Sequence, residues 1–128
     1  MDFEGVIVEE SLDDASVLKR LKINKTEVEK VTKEFKTPWL KHWTLRYVTI
    51  PEKDANSIAE EIGRSISKVH SSSWFADIWN DAVLYVIFRG KVFRLDRTRK
   101  EQFEDAAKYA LSVGIPRHQL GFMNKIKS

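Results

Sequence analysis

Residues 73–96 read SWFADIWNDAVLYVIFRGKVFRLD, and this stretch decides the fold class. Asn80-Asp81 divides WFADIW from AVLYVIF, and Arg89-Gly90 divides that run from KVFRLD. Asn, Asp and Gly all tolerate the positive φ that tight hairpin turns require. Three apolar runs parted by two such turns predict an antiparallel meander, with AVLYVIF fit for a central strand.

A helical pattern lies on either side of the meander. Upstream, Ala55, Ile58, Ala59, Ile62, Ile66 and Val69 recur at three- and four-residue steps, while Asn56, Glu60, Glu61 and Arg64 fall off the stripe. That spacing predicts a helix over about 53–69. Downstream, Thr98-Arg99-Lys100-Glu101 has the form of a capping box, and Phe103, Ala106, Ala107, Ala110 and Leu111 supply a buried stripe. Gly114 suits the left-handed residue that ends a helix and Pro116 blocks its resumption, which predicts a second helix over about 99–113.

The first half reads as strand. Phe3 to Glu9 is β-rich, and Asp13 to Leu21 is a short helix or an irregular crossing. Residues 23–33 mix Val28 and Val31 with Lys and Glu as an exposed edge strand would, with helix as the alternative over 25–35. Over 39–50 the alternation is clearer: Trp39, Trp43, Leu45 and Tyr47 share one face, and Leu40, His42, Thr44, Arg46, Val48 and Ile50 the other, until Pro51 ends the run. The order β-β-β-α-β-β-β-α implies an α+β fold: an antiparallel sheet of about five to six strands with both helices packed on one face. No internal repeat or linker divides residues 1–128, so a single domain is expected.

Composition excludes several classes. There is no cysteine, hence no disulfide, thiolate nucleophile or thiolate zinc site, and a cytosolic compartment is expected. Asp2 and Glu4 stand where a signal peptide needs positive charge, and no apolar run nears the ~18 residues that span a bilayer, so no membrane association is expected. The net charge of +3 conceals local balances of −6 over residues 1–15, +6 over 16–50 and +5 over 83–100. Two basic segments meeting on one face would form a patch for an anionic partner.

The segments SWFADIWND, LYVIFRGKVFRLD and GIPRHQLGF, with TPWLKHWTL upstream, resemble a family of small, uncharacterised prokaryotic proteins usually catalogued as hypothetical. The likeness spans nearly the whole chain. It implies a prokaryotic, cytosolic protein and carries no activity to particular residues.

The five glycines stand alone, with neither a G-x-G-x-x-G turn nor a Walker A loop, and no cofactor is expected. His42, His70 and His118 lack metal-ligand spacing, and no metal site is expected. Serines 71–73 follow His70, but adjacency alone does not pair a nucleophile with a base. Two constellations remain. One is a pocket on the sheet face of His42, Thr44 and Arg46, with Asp77 and Tyr85 from other strands, where His and Asp could exchange protons and Arg46 could hold an anion. The other is the hairpin cluster Arg89, Lys91, Arg94 and Arg97, interleaved with Phe88 and Phe93, which suits phosphates and stacked bases. Three readings follow: a binding protein for an anionic partner, nucleic acid first; a small enzyme or ligand-binding protein using the pocket; and an interaction module acting through the edge strand. Tryptophans exposed beside the hairpin would favour the first.

Overall fold

The computed structural model describes residues 1–30, 40–69 and 74–127. Over them the chain forms strands β1 (Phe3–Val8), β2 (Lys22–Lys30) and β3 (His42–Ile50), helix α1 (Ala55–Ser65), strands β4 (Ala76–Trp79), β5 (Val83–Phe88) and β6 (Lys91–Asp96), and helix α2 (Lys100–Ser112). Short 3-10 turns, Glu9–Ser11 and Ala15–Arg20, make the crossing between β1 and β2. The strands form one antiparallel sheet in the order β2-β3-β1-β4-β5-β6, an α+β architecture whose second half is the expected meander.

The two turns of the meander work differently. Gly90 takes a positive φ of 73°, as the Arg89-Gly90 pair implied. Among the described residues no residue other than glycine has a positive φ. Asn80 closes its turn through its side chain: Oδ1 accepts the amides of Ala82 and Val83 at 3.0 and 2.9 Å.

The helices do not share a face, contrary to the expectation. Successive residues of β5 point to opposite sides of the sheet. Tyr85 and Ile87 join Phe3, Ile7, Val48, Ile50 and Ile78 beneath Ile58, Ala59 and Ile62 of α1. Leu84, Val86 and Phe88 join Leu95 beneath Phe103, Ala106 and Ala110 of α2, with Ile115, Leu120 and Phe122 completing that layer. A strand apolar on both faces needs two covers, and the unbroken run AVLYVIF receives one from each helix.

Helix limits also shift. α1 stops at Ser65, four residues short of the predicted end, leaving Val69 exposed. Past Ser65 the backbone is taken over by residues 11–13: the Asp13 amide donates to the Ser65 carbonyl at 2.7 Å, and the Ser67 amide to the Ser11 carbonyl at 2.9 Å. α2 is not capped by Thr98. Arg99 is its N-cap residue, and the Thr98 hydroxyl donates instead to Asp96 Oδ1 at 2.7 Å. Asp96 Oδ1 also accepts the Thr98 amide, while Gln102 Oε1 accepts the Asp96 amide. Gly114, at φ 98°, does end the helix.

Candidate anion-binding cleft

The residues predicted as a pocket around β3 are not brought together in one: of them Arg46 alone lines a hollow of about 520 Å³, with Glu9, Asp14, Ser16, Lys19 and Ile23. His42 is exposed at the start of β3, paired across to Lys30. Thr44 donates its amide and hydroxyl to the two carboxylate oxygens of Glu10, at 2.6 and 2.7 Å. Burial opposes ionisation of Glu10, yet these two bonds hold its carboxyl below the ordinary value. Arg46 donates to Glu9 at 3.0 Å and to Thr26 at 2.9 Å. Tyr85 is buried against Phe3, with ring centroids 5.5 Å apart.

Asp77 lies on the other side of the sheet. It pairs with Val6 and Val86, on the α2 side, whereas Arg46 pairs with Ile7 on the α1 side. Lys125 reaches Asp77 at 3.3 Å while lying 4.1 Å from the Trp79 ring centre. Burial pushes the Asp77 carboxyl above its usual range, and Lys125 offsets this only in part. Proton exchange between His42 and Asp77 is therefore excluded by the sheet between them. His70 and serines 71–73 lie outside the described residues.

Strand order also separates the basic segments. β2 and β3 carry much of the first at one edge, and β6 carries the second at the other, so these strands do not bring the two together. The acidic first fifteen residues fold onto the first segment through the Glu9 to Arg46 and Glu10 to Thr44 contacts. The second is left beside the C-terminal end of α1.

There the Arg89-Gly90 turn docks on the helix. The Gly90 amide donates to the Gly63 carbonyl at 3.2 Å, and Arg89 Nη1 donates to the carbonyls of Ile66 and Arg64, at 2.5 and 3.2 Å. Gly63 permits the approach, since a Cβ there would sit 3.2 Å from the Phe88 carbonyl oxygen. Between this junction and α2 opens a cleft of about 620 Å³ lined by Gly63, Arg64, Lys68, Phe88, Arg89, Gly90, Tyr109 and Val113. A recess of about 280 Å³ shares Gly63, Arg64 and Gly90 with it and adds Glu60, Lys91 and Val92. Among the described residues, four cations thus surround two adjoining hollows whose lining holds one carboxylate, Glu60. Among the described residues neither Arg64 nor Lys68 has an ion-pair partner for its side chain. Tyr109 and Phe88, with centroids 4.9 Å apart, form an aromatic wall.

Of the four hairpin cations predicted to act together, Arg89 and Lys91 line these hollows. Arg94 is exposed farther along β6. Arg97 is structural: its Nε donates to the Lys125 carbonyl and its Nη1 to the Asn80 carbonyl, at 2.8 and 2.6 Å. Arg64 and Lys68 were missed as site residues: Arg64 falls off the α1 stripe, and Lys68 lies past the end of α1 at Ser65, where no local pattern marks it. Among the described residues no tryptophan lines the cleft: Trp74 is buried against Trp43, and Trp79 sits at the far end of β4 beneath Lys125, while Trp39 lies outside the described residues. No family model matches the chain, nor does any curated protein or solved structure.

Proposed function

We propose that this is a cytosolic, non-catalytic binding protein for a phosphate-bearing partner, nucleic acid foremost, held where the β5–β6 turn meets α1. The observation that carries the reading is the convergence of Arg64, Lys68, Arg89 and Lys91 on adjoining hollows with a single carboxylate, among the described residues, in their lining. Arginine forks and lysine ammonium groups neutralise phosphates, and an aromatic side chain beside them gives a base a surface to stack on. Tyr109, half-buried in the cleft wall, is placed for that role. The His42, Arg46 and Asp77 set offers no competing site, because its members are on opposite sides of the sheet.

The test is an NMR titration of the labelled protein with a short single-stranded oligonucleotide. The reading predicts shifts clustered at Gly63, Arg64, Lys68 and Gly90 and at the Tyr109 ring. Shifts concentrated on β2 or β3, or none at low salt, would overturn it. Shifts at the cleft with inorganic polyphosphate but not with the oligonucleotide would keep the anion site and remove the nucleic acid.

A further inference from the structure

β2 is the outermost strand at the end of the sheet away from the cleft, and among the described residues it pairs only with β3. Its nine residues, Lys22-Ile-Asn-Lys-Thr-Glu-Val-Glu-Lys30, are almost all exposed. Two of the few large apolar side chains left in solvent are here, Ile23 at 41% and Val28 at 66% exposure. The register with β3 slips between Ile23 and Lys25, so Asn24 is the extra residue of a β-bulge. Its side chain is turned back to Thr49, with Nδ2 2.7 Å from Oγ1. Charged, bulged edges ordinarily resist strand addition. Here charge and bulge together permit one register.

We infer that a second copy of this chain pairs with β2 in antiparallel fashion about a two-fold axis at Thr26. In that register Lys25 of each copy stands opposite Glu27 of the other. With Asn24 counted as the bulge, Ile23 then faces Val28, and Lys22 faces Glu29. Every cross-strand pair is complementary: two charge pairs and one apolar pair, each occurring twice, with the apolar pair on the α1 side of the sheet. Centring the axis on Glu27 sets Glu27 against its own copy, and centring it on Val28 sets Glu27 against Glu29. Directly opposed like charges destabilise a strand pair, so both alternatives are disfavoured. Within one chain Lys25 Nζ already lies 2.6 Å from Glu27 Oε1, and Tyr47 donates to Glu27 Oε2 at 3.0 Å. Pairing closes these groups into a ring of alternating charge and extends the six-stranded sheet into a twelve-stranded one.

The experiment is sedimentation velocity on the full chain over a wide concentration range at low salt. The parent should rise from monomer to dimer mass with concentration, and less so as salt is added. Lys25→Glu and Glu27→Lys should each remain monomeric where the parent is dimeric, because each creates two like-charge pairs. An equimolar mixture of the two variants should form a heterodimer, since the two carboxylates that Lys25→Glu presents at positions 25 and 27 then face the two ammonium groups that Glu27→Lys presents there. That arm also shows that both variants are folded. A parent that stays monomeric at every concentration, single variants that dimerise like the parent, or a mixture that does not associate would each overturn the inference.

Discussion

Arg89 sits in a hairpin turn, where a charged side chain is ordinarily free to change, yet replacing it by alanine should cost as much as a core substitution. Its Nη1 spans the last carbonyls of α1, meeting Ile66 at 2.5 Å and Arg64 at 3.2 Å. A hydrogen bond to a charged group contributes about 1.5–3 kcal/mol. A cation at a helix C-terminus adds about 0.3–1 kcal/mol through the helix dipole. The two bonds share one nitrogen and are not additive, so Arg89→Ala should destabilise by about 2 kcal/mol. In a chain of this size that lowers the melting temperature by roughly 6–10 °C. Arg89→Lys should recover the dipole contribution but not the two-carbonyl grip, and should melt between the parent and the alanine variant. Thermal melts by circular dichroism decide it. If Arg89→Ala melts within about 2 °C of the parent, on the same scale, the junction of turn and helix does not hold α1 as described. The same grip makes Arg89 a poor probe of binding, because its loss disturbs the fold and the cleft together.

Gly5→Ala should destabilise by about 1–3 kcal/mol in urea titrations, because the added Cβ would lie 2.6 Å from Ile78 Cγ2 in a fully packed layer; an unchanged midpoint would mean that β1 and β4 separate easily. Thr98→Ala should cost less than about 0.5 kcal/mol, and Asp96→Ala clearly more, since Asp96 Oδ1 accepts both the Thr98 amide and hydroxyl; the reverse order would restore Thr98 as the cap. Asp77 gives a pH dependence of defined sign. Its folded pKa is raised, so between the ordinary carboxylate value and the raised one the folded state keeps a proton that the unfolded chain has lost. The stability of the parent relative to Asp77→Asn should therefore fall as pH rises through that window, and a difference that stays constant or grows with pH would be incompatible with a largely desolvated Asp77 carboxyl.

The sheet and both helices were legible because each rests on a local signal. The alternation of 39–50, the turn pairs at 80–81 and 89–90, and the stripe from Ala55 to Ile66 act over a few residues, and tertiary packing reinforced them. The distribution of helices over two faces was also written in the sequence: an unbroken apolar run has no face left for water, and AVLYVIF is such a run. The early end of α1 was not legible, since Ile66 and Val69 continue the stripe and only the distant Ser11–Asp13 segment diverts the backbone. Thr98 misled because a capping-box pattern competes with any nearby acceptor, and Asp96 lies two residues away. The candidate pocket failed on parity. Asp77 and Arg46 could be joined only by assuming a shared face, and strand register, a long-range property, placed them apart. The candidate cleft was half legible: Arg89 and Lys91 stood out as hairpin cations, but nothing local joins them to Arg64 in α1 and Lys68 just beyond it.

The central claim, that the Arg64, Lys68, Arg89 and Lys91 cluster is a phosphate site, is tested most directly by the salt dependence of oligonucleotide binding in Arg64→Ala/Lys68→Ala, set against Arg94→Ala. Each neutralised phosphate of a single strand adds roughly 0.7 to the slope of log affinity against log salt. Removing two cations that touch phosphate should therefore lower the slope by roughly 1.4 and weaken binding, while Arg94→Ala, outside the cleft lining, leaves both as in the parent. Equal slopes for the parent and the double variant, or the larger loss in Arg94→Ala, would contradict the assignment of the site.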